Sequence, residues 1–164
     1  NEMKSLTWKA VVFTLLAMLV YIAIRFKFVF GVGAVLALIH DVIITAGMFS
    51  LFGIEMNVSA IAALLTLVGY SVNDTIVVFD RIREFGRRFK GKDITVIVND
   101  SINSTLTRTI NTSLTTFFTV LMLLLFATGS IKSFGFGMSI GVVIGTYSSM
   151  FIASPVVIRW AKSI

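Results

Sequence analysis

The sequence predicts an all-α membrane protein: one transmembrane domain, 1–164, built of five membrane-spanning helices. Hydrophobic residues make up 57% of the 164 residues and charged residues 13%. The mean hydropathy is +0.96, outside the usual range of soluble globular domains. Five apolar segments, at about 7–24, 28–53, 58–79, 104–127 and 134–158, each approach the roughly 20 residues needed to span hydrocarbon. Charge collects between them, above all in a loop at about 80–100. The absence of cysteine rules out a disulfide framework and a thiolate metal site, and the single His leaves little for metal chemistry, so neither metal nor cofactor is expected. The net charge of +6 sits in loops, so no nucleic-acid partner is expected and lipid is the surrounding medium.

With five crossings, the connections around 25–27 and 80–100 and the C-terminal tail share one side of the membrane. That side holds Arg25, Lys27, the cluster from Arg81 to Lys92, Arg159 and Lys162, while the other holds Lys4, Lys9 and Lys132. The positive-inside bias makes the first side cytoplasmic, so the chain starts outside and ends in the cytoplasm. An external start on Asn1 implies an earlier crossing, and the sequence reads as part of a longer protein. A signal peptide is the alternative for the first segment. No small-residue cleavage site follows it, and Arg25-Phe26-Lys27 reads as a stop.

The second segment carries Gly31, Gly33, Ala34 and Ala37 ahead of His40 and Asp41. Counted from Lys27 at 1.5 Å per residue, Asp41 lies roughly 21 Å into the bilayer. Two readings stand: a structural hydrogen bond to a neighbouring backbone or to a Tyr, or a place in an ion pathway. The third segment contains Asn73 and Asp74. A carboxylate at that depth costs roughly 2.5–3.5 kcal/mol on insertion scales, which makes Asp74 the first functional candidate. The charged run after it, with Gly86 and Gly91 as breaks, reads as the third helix extending into water or as a docking surface for a cytoplasmic partner. Asp93 is expected to cap a short surface segment, Ile94 to Val98.

The fourth segment has a polar stripe at helical spacing: Ser101, Ser104, Arg108, Asn111, Thr112, Thr115 and Thr119. Such a face is expected to avoid lipid, either as an interhelical seam or lining water. Asp74 is six residues inside Asp80, about 9 Å, and Arg108 is eight inside Asp100, about 12 Å, on antiparallel helices. The two can therefore meet; the alternative for Arg108 is snorkelling to the interface. The last segment carries Gly137, Gly141, Gly145, Ser149 and Ala153 at four-residue intervals, a rail for close helix packing, with Pro155 near its inner end.

The sixteen-residue string Gly69 to Glu84, GYSVNDTIVVFDRIRE, resembles the signature of the SecF family, membrane subunits of the bacterial accessory complex SecD–SecF. His40-Asp41, Arg108-Thr109-Ile110 and the glycine-rich last span fall in the order expected of that family. The resemblance implies the fold of a resistance-nodulation-division type transporter: the five helices are most of a six-helix half that faces a second half from SecD. It implies a multi-pass protein of the bacterial cytoplasmic membrane that is not an enzyme. As partners it implies SecD, the SecYEG translocon, YajC and the translocating preprotein. It further implies use of the proton-motive force through Asp74 and Arg108, and Asp41, Asn73 and Thr112 are expected on the same pathway. The coupling ion is expected to be H⁺, with Na⁺ chemically compatible. Two alternatives are a scaffold subunit without ion coupling and an intramembrane aspartyl protease using Asp41 and Asp74 as a dyad.

Overall fold

The computed structural model describes residues 2–25 and 28–160. Asn1, the Phe26-Lys27 part of the expected stop and the tail with Lys162 lie outside the described residues. The chain forms α1 (Glu2–Arg25), α2 (Phe28–Leu51), α3 (Val58–Arg88), α4 (Ile94–Phe126), α5 (Ser130–Ser148), a π-helical turn (Ser149–Ala153) and α6 (Ser154–Trp160). Among the described residues, four helices are long and apolar enough to cross a membrane: Phe28–Leu51, Val58–Arg88, Ile94–Phe126 and the combined Ser130–Trp160. The first expected crossing falls in α1, whose described apolar stretch is Val12–Ile22.

Residues 80–88 and 94–100, expected in the loop, are helical, and the connection narrows to residues 89–93. Gly86 does not break the chain; it is buried inside α3. On the solvated end, Arg81 Nη1 donates to Glu84 Oε2 at 2.7 Å, an i,i+3 pair that supports continued helix. Gly91 then turns the chain at φ +92°, a conformation that favours glycine. The Asp93 side chain accepts the Thr95 N–H at 3.1 Å and so caps α4 itself, which runs unbroken through the expected surface segment. At the other end, Asn57 caps α3 by accepting the Ala60 N–H at 2.9 Å, while its amide donates to Ser133 Oγ at 3.1 Å, tying the start of α3 to the start of α5.

α5 packs against α2, α3 and α4, and its glycines explain how it fits. A Cβ on Gly137 would stand 2.9 Å from the Phe49 ring and 3.0 Å from Ala63 Cβ; one on Gly141, 2.8 Å from Leu67 Cδ1; one on Gly145, 3.2 Å from Ser71 Cβ. The rail therefore meets Ala63, Leu67 and Ser71, a second four-residue row on the parallel helix α3. The glycine positions are filled by this chain's own helix rather than left for a partner. On the α4 side, a Cβ on Gly135 would come within 2.7 Å of the Leu124 backbone nitrogen. Close backbone approach of this kind is how helices gain dispersion contacts where water supplies no hydrophobic drive.

The four-residue rail changes register at its inner end. Pro155 has no N–H, and its ring would clash with the carbonyl four residues earlier in a regular helix. Widening to the π-helical turn at Ser149–Ala153 accommodates it. Opposite that turn, a Cβ on Gly33 would meet the Ala153 carbonyl oxygen at 3.0 Å. The apolar core around these contacts joins Phe30, Ala34 and Leu38 of α2 with Val72, Val78, Phe79 and Ile82 of α3 and Val157 of α6.

Candidate functional site in the membrane-spanning helices

Asp74 sits on the inward face of α3, between the buried Ser71, Thr75 and Val78, and is 3% exposed. Its Oδ2 is buried without a hydrogen-bond partner. An unsatisfied buried polar atom costs about 1–3 kcal/mol, more for a charged group. Such an atom in a helix interior is a feature that stability alone does not favour. Asn73, its neighbour, is exposed on the outer side of the same helix.

Tyr70 Oη donates to Ser113 Oγ at 3.2 Å, which fixes the relative level of α3 and the antiparallel α4. Counting one turn onward along α3 and one turn back along α4 brings Asp74 level with Arg108 and Thr109. The shared level expected for the acid and the cation is present. The side chains are not paired: no ion pair within 4.0 Å joins them, and Arg108 is exposed. It lines a cleft of about 350 Å³ between α3 and α4 together with Val77, Asp80, Arg81, Glu84, Ser104 and Thr105.

The rotation of α4 accounts for the exposure of Arg108. Of the expected polar stripe only Ser101 is buried; Thr112 is half-buried, and Ser104, Arg108, Asn111, Thr115 and Thr119 are exposed. The seam toward α3 and α5 is a different row, Ser101, Thr105, Thr109 and Ser113, all buried, and Ser113 Oγ lies 2.6 Å from Thr146 Oγ1 of α5. Only 11% of the apolar window of α4 is buried, against 44–50% in α2, α3 and the α5–α6 span, so α4 stands at the edge of the bundle. The exposed hydroxyls turn back onto their own helix: Thr112 donates to the Arg108 carbonyl at 2.9 Å, Thr115 to Asn111 at 3.0 Å and Thr119 to Thr115 at 2.9 Å. Arg108 and Asn111 have no such recourse, and a permanent cation in a membrane span requires a carboxylate or water.

Asp41 resolves differently. It is fully buried. Its Oδ2 accepts Ser71 Oγ of α3 at 2.6 Å and Ser148 Oγ of α5 at 2.7 Å, and its Oδ1 lies 3.1 Å from His40 Nδ1. A structural hydrogen bond is present, but its partners are serine hydroxyls from two helices rather than the backbone or Tyr expected. Sequence reasoning named neither serine, although Ser71 lies inside the quoted string and Ser148 three residues beyond Gly145. Asp41 and Asp74 do not share a hydrogen bond, so the dyad of an aspartyl protease is not formed. Thr45, one turn from Asp41, is buried with its Oγ1 unpartnered. Among the described residues no three His, Cys, Asp or Glu side chains gather where they could hold a metal ion.

The family model for "Protein export membrane protein SecD/SecF, C-terminal" matches residues 1–163. The chain belongs to this family. The SecF protein translocase subunit of Petrotoga mobilis is 60% identical over 162 residues, 99% of this chain and 54% of the relative. That of Rhodothermus marinus is 54% identical over 151 residues, 88% of this chain and 49% of the relative. The chain thus spans about half the length of the curated relatives it matches. Among solved structures, the crystal structure of SecDF from Thermus thermophilus, described as a translocon-associated membrane protein, matches with a TM-score of 0.83 and 48% identity. The match covers 87% of this chain and 20% of that one. SecDF in a super-membrane-facing form matches with a TM-score of 0.84 at 47% identity over 89% of this chain and 20% of the other. The fold is therefore that of the SecDF membrane region, a multi-pass bundle of resistance-nodulation-division type.

Proposed function

We propose that this chain is the membrane half through which a SecF-type subunit couples ion movement to protein export, working with SecD beside the SecYEG translocon in the bacterial cytoplasmic membrane. The observation that carries the reading is Asp74: a carboxylate inside a membrane-spanning helix, 3% exposed, with one oxygen left unpartnered. Such an atom can take up a proton without breaking an existing bond, and neutralising it removes a desolvation cost. A proton crossing the membrane potential carries about 2.3 kcal/mol per 100 mV, enough to bias two helix packings that differ by a few kcal/mol.

The exposed stripe on α4 is where the second half docks in this reading. Arg108, Asn111 and, across on α3, Asn73 are polar groups on outward faces of spans, and a SecD half supplies the groups or water that meet them. Thr112, bonded to the Arg108 carbonyl, stiffens that turn. YajC and the translocating preprotein complete the set of partners, H⁺ is the coupling ion, with Na⁺ the competing ion, and the chain performs no chemistry of its own. The test is export by the complete protein carrying Asp74→Asn in cells lacking the unaltered subunit: loss of export with normal assembly supports ion coupling, and normal export rules out an essential ionisable role.

A further inference from the structure

Asp41 differs from Asp74 in every respect that bears on carrying an ion. Asp41, Ser71 and Ser148 are each 0% exposed, and both carboxylate oxygens of Asp41 are occupied, Oδ2 by two hydroxyls and Oδ1 by His40. The O···O distances of 2.6 and 2.7 Å are those of hydroxyls donating to a carboxylate. An ion arriving at Oδ2 would have to displace a serine and release a helix.

The two donors come from different helices and converge on one atom of a third. Ser71 also backs the rail, since a Cβ on Gly145 would touch its Cβ at 3.2 Å, and its carbonyl accepts the Thr75 hydroxyl at 3.1 Å. Asp74 follows Ser71 by three residues, about 4.5 Å along the axis. Ser148 closes α5, and the π-helical turn begins at the next residue. The contact thus pins α5 immediately before its register changes, and pins α3 one turn before the unpartnered carboxylate.

We infer that Asp41 is a positioning residue rather than a member of the ion pathway: its carboxylate clasps Ser71 of α3 and Ser148 of α5 to α2 and so fixes where α3 presents Asp74. The inference rests on the ion-coupled reading for its functional consequence and on geometry alone for the clasp. Asparagine is the informative isostere at this position. Its amide oxygen can accept both serine hydroxyls while its NH₂ donates to a His40 Nδ1 that carries no hydrogen, so the clasp survives without charge. Leucine has similar volume and accepts nothing.

The experiment uses the complete protein in its complex in proteoliposomes, with two readouts taken on separate proteins: export by each Asp41 or serine variant with Asn73 intact, and, in parallel proteins that also carry Asn73→Cys, the rate at which that cysteine reacts with a water-soluble maleimide. This segment contains no other cysteine to confuse the labelling. With Asp41→Asn, export stays within about fivefold of the unaltered protein and labelling is unchanged, because only the charge on two retained hydrogen bonds is lost. With Asp41→Leu, export falls by more than about tenfold and the labelling rate shifts, because buried Ser71 loses its acceptor and Ser148 is left only the Gly145 carbonyl of its own helix at 3.2 Å, so neither is tied to α2. The double variant Ser71→Ala, Ser148→Ala removes only two hydroxyls and shifts the labelling in the same direction; it stands in for Asp41→Leu if that protein does not assemble. The inference is overturned if Asp41→Asn is as inactive as Asp74→Asn with unchanged labelling, which would place Asp41 on the pathway. It is equally overturned if neither Asp41→Leu nor the double serine variant alters the labelling. Normal export by Asp74→Asn would remove the ion-coupled reading while leaving the labelling to decide the clasp.

Discussion

Asp74 and Arg108 stand at one level of two antiparallel helices, yet the carboxylate is buried in the bundle while Arg108 is exposed and lines the cleft between α3 and α4. Within this chain the acid lacks a partner on Oδ2, and the cation faces a cleft. A pair held permanently together would have no state to switch to. Two groups at one level, one of them on a face that moves if α4 turns, have two.

Asp74→Asn should therefore insert and assemble as the unaltered protein does, since replacing a buried acid by its neutral isostere lowers the insertion cost rather than raising it. Export should nevertheless be lost. Quantifying membrane-inserted protein and co-purified SecD alongside export checks both halves; a fall in export that matches a fall in assembled complex would make Asp74 a folding residue.

Arg108 separates a motor from a scaffold. Arg108→Lys keeps a cation but loses the planar fork that meets a carboxylate at two points, and Arg108→Leu removes the charge altogether. In the motor both reduce export at constant complex, leucine more than lysine, and move the pH profile of export. In a scaffold the profile stays in place and activity tracks the amount of SecD recovered. Export and recovery measured across one pH series in the same membranes distinguish these patterns.

The acids and the arginine could be read from sequence because charge inside an apolar segment is too costly to be incidental. Four of the five expected spans and the glycine rail could be read because length and four-residue spacing act through the chain's own geometry; the first expected span shows only the shorter apolar stretch Val12–Ile22 among the described residues. What could not be read was the rotation of α4. Ser101, Thr105, Thr109 and Ser113 form one polar row and Ser104, Arg108, Asn111, Thr115 and Thr119 an adjacent one, and neighbouring rows on a helix are separated by only about 100°. Which row faces inward is settled by Gly135 against Leu124 and by Thr146 against Ser113, contacts from a helix later in sequence. The same holds for Asp41: its depth was legible, but its donors come from residues 30 and 107 positions away.

The rotation assigned to α4 gives a cross-linking pattern. Cysteines at Asn111 and Thr115 should cross-link to SecD in the complete complex, because these positions are exposed on this chain. Cysteines at Thr109 and Ser113, one step around the helix and buried, should not. Equal reaction of all four with a lipid-soluble reagent, and none with SecD, would remove the docking role from this face.

The glycines of the bundle should differ in a fixed order when each is changed to alanine in the complete protein and its thermal unfolding is followed in detergent. At Gly135 the new methyl would stand 2.7 Å from a backbone nitrogen, which no rotamer change relieves, so α5 must move off α4. Overpacking of that kind costs about 1–3 kcal/mol. At Gly141 the obstacle is the tip of the Leu67 side chain at 2.8 Å, which can turn aside, so the cost is smaller. At Gly145 the distance to Ser71 Cβ is 3.2 Å, and the strain passes to the serine that holds Asp41. At Gly47 nothing lies within 4 Å, and alanine should stabilise the helix by about 0.5–1 kcal/mol. The order Gly135 worst, then Gly141, with Gly47 improved, follows from close α4–α5 and α3–α5 approach. Indifference at Gly135 would mean that α4 does not lie against α5 in the assembled protein, and with it would go the outward placement of Arg108.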